Sequence, residues 1–487
     1  MYLGLDIGTS AIKAVLCDDD QKIVAQAEVA LEISRPAPLW SEQNPADWWQ
    51  AVQSTLGLLR QQNALALSTV KSVGLAGQMH GAVLLDKEGR VLRPAILWND
   101  GRSAIECQEM EALEPNLRKI SGNIAMPGFT APKLLWVAKN EPDIFKKVAK
   151  VLLPKDYIRL CLTGDYVAEM SDAAGTLWLD VAARKWSEEL LAATGLSVTQ
   201  MPSLIEGTDI SGTIRPEIAD AYGLSKNVLV AGGAGDNAAG AVGIGAVKPG
   251  HAFLSLGTSG VLFLSNDTFK PNPADAVHAF CHCLPATWHQ MSVILSAASC
   301  LSWVVKLTGS NSEADLLTAV AAAGTRDDEL LFLPYLSGER TPHNNPNAKG
   351  VFFGLTHESD SAALARSVLE GVAFAMADGK DALLAADAKI DHISVIGGGA
   401  RSDLWGEILA TALDQPLVYH KGGEVGPSFG AARIARLAVT GEDVSEICVP
   451  PEIRKIIEPD PTQKDKLSSK HQRYRRLYQT LNNEFNY

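Results

Sequence analysis

Two carboxylates occupy positions where the chain pattern asks for a reason. Asp6 stands in an otherwise apolar strand pattern of Leu3, Leu5 and Ile7, and an acid in that setting must be solvated, paired or liganded. Directly after it comes Gly8-Thr9-Ser10, a hairpin turn whose backbone N–H groups and hydroxyls can form an anion-holding concavity. A carboxylate beside a phosphate-binding turn suits a hydrated Mg²⁺, which takes few carboxylates and keeps several waters. Bonding to the turn amides is the alternative use of the same side chain. Asp236 follows Gly232-Gly233-Ala234-Gly235 and opens the small-residue run from Asn237 to Val242. There it reads either as a helix N-cap or as a base kept ionised by the positive helix end.

Three further segments carry candidate chemistry. Gly257-Thr258-Ser259-Gly260 repeats the first turn between two apolar runs, so two such hairpins could grip a polyphosphate from opposite sides. Gly397-Gly398-Gly399-Ala400 joins a strand pattern to a helix pattern. Glycines there let a flat ligand approach the backbone, and the helix start adds donors. It is not a GxGxxG fingerprint, and no GxxxxGK[ST] loop occurs in the chain, so the dinucleotide and P-loop readings both fail. Met79-His80 lies in a polar loop, Gly77 to Gly81, after an apolar strand, the edge where α/β proteins bind substrates. His80 could donate to sugar hydroxyls and Met79 could cover a carbon face.

The elements that must hold these residues read as follows. Tyr2 to Ile7, Ile12 to Cys17 and Ile23 to Leu31 alternate as a strand meander. Asn44-Pro45 opens a helix through about Leu59. Strands are expected over Ser72 to Ala76, Pro94 to Trp98, Val228 to Ala231, Ala252 to Leu256, Val261 to Leu264 and Ile393 to Ile396, with a helix from about Ser402. Lys248-Pro249-Gly250 breaks the pattern, dividing the chain into 1–247 and 248–487. The expected fold is two mixed α/β halves, each opening with a Gly-Thr-Ser hairpin. Lys464 to Leu481 reads as a solvated closing helix.

Composition limits the partners. The 487 residues carry 43 Lys and Arg against 56 Asp and Glu, a formal net charge of −13, which disfavours a nucleic-acid backbone as ligand. No apolar run approaches the roughly 20 residues of a spanning helix. Cys17, Cys107, Cys161, Cys281, Cys283, Cys300 and Cys448 are scattered and contain no CxxC pair, as expected of reduced thiols in a cytoplasm. His278, Cys281, His282 and Cys283 form the one conceivable metal cluster. On a strand, however, Cys281 and Cys283 share a face that His282 does not, so they read as core thiols beside a satisfied histidine.

Taken together, these motifs resemble the FGGY carbohydrate kinase family over nearly the whole chain. Gly4 to Ser10 is similar to the family's first phosphate motif, Leu256 to Gly260 to its second, Gly232 to Asn237 to its catalytic loop and Gly397 to Ala400 to its adenosine loop. Gly128 to Trp136 matches the first family signature. Gly350 to Leu355 begins the second, with Ala363 where a polar residue is usual. The resemblance implies two ribonuclease H-like domains of the actin and hexokinase type with an interdomain cleft, the sugar mainly in the N-terminal one and ATP between them. It implies Asp236 as general base and Asp6 as an essential carboxylate reaching Mg²⁺ through water, Asp236 being a second candidate for the metal. Met79, His80, Trp98, Asp236 and Asn237 would hold the sugar. Gly8, Thr9, Ser10, Gly257, Thr258, Ser259, Gly398, Gly399, Ala400 and Asp403 would hold the nucleotide. Gly77 to Gly81 is similar to the family's D-xylulose-phosphorylating branch, and a homodimer is implied. A kinase for ribulose, gluconate, fuculose or another polyol, or a non-catalytic sugar sensor on the same fold, are the competing readings.

Overall fold

Short apolar runs bounded by turn residues become strands, and the first two close into an antiparallel hairpin about Gly8-Thr9-Ser10, with Ile7 opposite Ile12. The computed structural model describes residues 1–324, 329–421 and 426–486. Its first large sheet runs, in spatial order, Ile210–Thr213, Leu229–Ala231, Ser72–Gly77, Tyr2–Ile7, Ala11–Cys17, Ile23–Ala30, with Ala234–Gly235 also on Ser72–Gly77. The second runs His278–Cys281, Trp288–Ile294, Gly260–Asn266, His251–Leu256, His392–Ile396, Leu417–His420, Ile453–Ile457.

The repeat signalled by the two Gly-Thr-Ser turns extends through both sheets. In each, three antiparallel strands end on a central strand, Tyr2–Ile7 in the first and His251–Leu256 in the second, where His278–Cys281 adds a fourth at the outer edge. Two parallel strands then continue from that strand, and an antiparallel strand closes that edge. The mixed α/β halves expected from sequence are therefore present.

Local differences have plain causes. The helix beginning at Pro45 is capped by Asn44, whose side chain accepts from the Ala46 N–H, and it continues to Ser68 across a non-helical Asn63. The strand expected over Pro94 to Trp98 shrinks to Ala95–Ile96. The Lys464–Leu481 helix is not simply solvated: it buries Leu467, Tyr474 and Leu477 in a cluster with Leu331, Leu333 and Phe374.

One helix of the second half lies on the first half's sheet. Pro427–Thr440 packs along Tyr2–Ile7, Ser72–Gly77 and the helix Asp236–Ile244. The approach is backbone on backbone. A Cβ at Gly4 would collide with the Ser428 carbonyl, one at Gly74 with the Ala431 carbonyl and one at Gly430 with the Ala239 carbonyl. No described helix is long and apolar enough to cross a membrane.

Candidate active site

Register brings the first half's functional segments together. Ile7 pairs with Gly77 and Gly77 with Gly235, so three strand ends lie abreast. From them depart the Gly8-Thr9-Ser10 turn, the Met79-His80 loop and the helix that Asp236 begins. Ligands of open α/β sheets bind outside such carboxyl ends. Gly235, with extended φ and ψ, is the helix N-cap and Asp236 is the first helical residue, which displaces the N-cap reading of Asp236. Its Oδ1 accepts from the Asn237 N–H at 2.7 Å and from Asn237 Nδ2 at 2.9 Å.

A cavity of ≈ 250 Å³ opens over these ends, and Met79, His80, Trp98, Asp236 and Asn237 all line it. Burial pushes the Asp236 carboxyl up to about 6, against the lowering effect of the two Asn237 bonds. Asp6 is beneath, 7% exposed. Desolvation, with Asp236 repelling it, raises its carboxyl to about 7, and its buried Oδ1 has no hydrogen-bond partner.

His80 sits at φ +70°, a conformation non-glycine residues adopt where surrounding contacts over-determine it. Its ring Nδ1 lies 2.7 Å from the Gly175 carbonyl, and a Cβ at Gly175 would meet that ring at 2.7 Å. A carbonyl only accepts, so Nδ1 carries the proton. Burial, then the Lys133 charge, lowers the imidazole pKa to about 3. The ring is neutral and Nε2 presents a lone pair, which suits it to accept a hydrogen bond. The fully buried Lys133 fixes the loop by donating to the carbonyls of His80, at 2.9 Å, and Gly128, at 2.8 Å.

The first hairpin is wired to this cavity. Trp98 Nε1 donates to Thr9 Oγ1 at 3.0 Å, Thr9 Oγ1 donates to Gln78 Oε1 at 2.9 Å, and Gln43 Nε2 donates to the Thr9 carbonyl at 2.8 Å. The Thr9 hydroxyl is thus spent on joining turn to loop, and the turn's backbone and the exposed Ser10 hydroxyl remain for an anion. Beneath the loop from Gly232 to Asp236, Arg159 donates to the carbonyls of Ala231, at 2.7 Å, and Gly232, at 2.5 Å, while the Gly235 N–H donates to Ser171 Oγ at 3.0 Å.

The second hairpin reaches the same cavity through Ser259. Its carbonyls are tied back: Thr258 O accepts from the Ala297 N–H and Ser299 Oγ, and Gly257 O from the Ala298 N–H. Ser255 pairs with Ile396, which sets the Gly257 turn beside the Gly397 loop. Gly397 has φ +91° and its Cβ would strike the Leu256 carbonyl at 2.7 Å. Gly398 to Arg401 form a 3₁₀ turn. Asp403, the first residue of the helix that follows, pairs with Lys455 of the edge strand and is exposed.

Sequence reasoning missed part of the wall. Met126, Gly128 and Phe129 come from the first half, and Val261, His278, Met291, Val293 and Arg340 from the second. His278, weighed only as a metal ligand, stacks with Phe280 and meets Phe129 edge-on. Cys281 and Cys283 are free, buried thiols, and His282 Nδ1 accepts from the Leu284 N–H. For Phe129, the match of Gly128 to Trp136 to a signature was an available signal; for Arg340 there was none.

Comparison with known proteins bears on this geometry. The N-terminal domain of the FGGY family of carbohydrate kinases matches residues 1–243 and its C-terminal domain residues 252–439. The xylulose kinase of Escherichia coli K12 is 53% identical over 482 residues, 99% of each chain. That of Klebsiella pneumoniae is 55% identical over 442 residues, 91% of each. A crystal structure described as a xyloylose kinase from Brucella ovis superposes with a TM-score of 0.96 at 52% identity, covering 99% of both chains.

Proposed function

We propose, for a chain that belongs to the FGGY family of carbohydrate kinases, that it transfers the γ-phosphoryl group of ATP to O5 of D-xylulose, giving D-xylulose 5-phosphate and ADP. The observation that carries the reading is the meeting of Asp236, the Met79-His80 loop and Ser259 of the second hairpin on one cavity. Relatives at 53–55% identity named xylulose kinases support the choice of sugar.

The residues divide the work. Asp236 orients the O5 hydroxyl and takes its proton as the O5–P bond forms and the bond to ADP breaks. Phosphoryl transfer has a loose transition state, so placement outweighs base strength. His80 Nε2 accepts from a second hydroxyl, Met79 covers the carbon chain, and Trp98 is held against the sugar by Thr9. The backbone turns at Gly8-Thr9-Ser10 and Gly257-Thr258-Ser259 receive phosphate oxygens, and Gly398, Gly399 and Ala400 border the adenosine. Asp6 fits a divalent cation, because its buried, unbonded Oδ1 beside Asp236 is a carboxylate whose repulsion the Lys13 charge does not offset. Bound magnesium would neutralise charge on the phosphates. A division of the chain at 247/248, a cytoplasmic site suited to its free thiols, and a homodimer complete the proposal.

Asp236→Ala tests the assignment. Transfer to D-xylulose in a coupled ADP-release assay is expected to fall at least about 10³-fold, beyond the roughly 10²–10⁴ typical of a lost acid–base group at its low end, with MgATP binding retained. Near wild-type turnover would remove Asp236 as base, and a sugar panel ranking D-xylulose well below another polyol would remove the substrate.

A further inference from the structure

The cavity wall contributed by the second half contains a donor corner in which the acceptor, His278 Nε2, is already taken by Arg340. Arg340 Nη1 lies 3.4 Å from His278 Nε2. A guanidinium never accepts, so His278 Nε2 is the acceptor and its proton sits on Nδ1, a buried atom with no partner. Burial and the Arg340 charge both oppose a second proton on that ring. No carboxylate of the described residues forms an ion pair with Arg340; neighbouring Glu339 spends Oε1 on the N–H groups of Leu295 and Arg340 itself, and its unbonded Oε2 is buried on a residue that does not line the cavity. The surrounding side chains Phe129, Met291 and Val293 offer nothing to a hydroxyl hydrogen.

The remaining polar groups of the cavity have the opposite or a mixed character. His80 Nε2 and the Asp236 carboxylate accept, Trp98 Nε1 is committed to Thr9, and Asn237 Nδ2 is bonded to Asp236. Arg340 also lies towards the His80 end. Its partner His278 and His80 both meet the Phe129 ring edge-on, with centroids 5.4 and 4.8 Å away.

An open-chain 2-ketopentose has one oxygen that cannot donate, the C2 carbonyl, at the end of the chain away from O5. Resting on the reading of the site as a D-xylulose kinase, we infer that Arg340, aligned by His278, receives the C2 carbonyl oxygen and makes the site prefer 2-ketoses to the corresponding alcohols. An alcohol at C2 would bring a hydrogen into a corner without a free acceptor, and a buried polar group left unpaired is what gives a site discrimination. A carboxylate shares the acceptor-only chemistry, so an aldonate is the competing occupant.

The test measures kcat/KM for D-xylulose, for xylitol and D-arabinitol (the alcohols that C2 reduction gives), and for D-xylonate, in wild type, Arg340→Met and Arg340→Lys. Wild type is expected to favour D-xylulose over both alcohols by at least about 10-fold, the low end for a charged hydrogen bond of about 1.5–3 kcal/mol. Arg340→Met should lower the D-xylulose value about 10- to 100-fold and the alcohol values less than about 3-fold, collapsing the ratio, with Arg340→Lys recovering part of it. Equal losses on ketose and alcohol, or an unchanged ratio, would overturn the assignment. If Arg340→Met does not fold, wild type alone decides, since alcohols used as well as D-xylulose also overturn it. Preference for D-xylonate would overturn the ketone assignment while leaving a donor corner. Absence of wild-type activity on D-xylulose would instead overturn the substrate reading.

Discussion

At 7% exposure, with Oδ1 unbonded and Asp236 repelling it, the Asp6 carboxyl is held at about 7 where a free one has 3.8. Folding therefore binds a proton that the unfolded chain releases between those values. The associated stability is complete below pH 4 and is lost as pH rises through about 7. Asp236, pushed to about 6, adds the same sign. The melting gap between metal-free wild type and Asp6→Asn, which cancels the opposite contribution of the buried histidines such as His80, is thus expected to be larger at pH 8 than at pH 5, with MgCl₂ plus ATP narrowing it. Asp6→Asn should raise the melting temperature of the metal-free protein at pH 8 by several degrees, at about 2–4 °C per kcal/mol, while abolishing turnover. A variant that melts lower at pH 8 would show that Asp6 serves packing and not a cation. Asp6, Asp236, Met79 and His80 were legible because a polar residue beside glycines at a strand end is a local anomaly. Arg340 and His278 were not, since arginine and histidine are ordinary in any segment and become a site only when distant strands meet.

Among elements, the link between the Gly8-Thr9-Ser10 turn and the sugar loop has a consequence for kinetics. Thr9 Oγ1 stands between Trp98 and Gln78, so a residue of the first hairpin turn also positions a residue of the cavity. Thr9→Val keeps the shape and deletes both bonds. At about 1 kcal/mol per bond, KM for D-xylulose should rise several-fold, more than KM for ATP. A change confined to ATP would mean that Thr9 acts on phosphate alone. The two hairpins could be read in advance because turn residues between alternating runs are a short-range signal. The Pro427–Thr440 helix lying on the first sheet could not: its glycine and alanine face looks like any buried helix, and only the approach to Gly4 and Gly74 says which sheet receives it.

For the whole molecule, that helix makes the second half a structural component of the first. The cavity draws its wall from both halves, so its shape depends on how they are joined, and the joint is a contact of backbones in which glycine leaves no slack. At Gly74 an added methyl meets the carbonyl, carbon and Cα of Ala431, none of which is the free end of a flexible side chain. At Gly57, inside the Pro45–Ser68 helix, the same methyl meets nothing within 4 Å. One substitution type therefore has opposite outcomes. Gly57→Ala should stabilise by roughly 0.5–1 kcal/mol, the helix penalty of glycine. Gly74→Ala should destabilise by about 3 kcal/mol, at the upper end of core overpacking, and should raise KM for D-xylulose although residue 74 is outside the cavity, because the halves can separate only by moving Arg340 and Ser259 away from Asp236. Thermal melts and sugar kinetics on the two variants decide it: a Gly74→Ala protein with unchanged melting and unchanged KM would mean that the helix–sheet contact does not set the spacing of the halves.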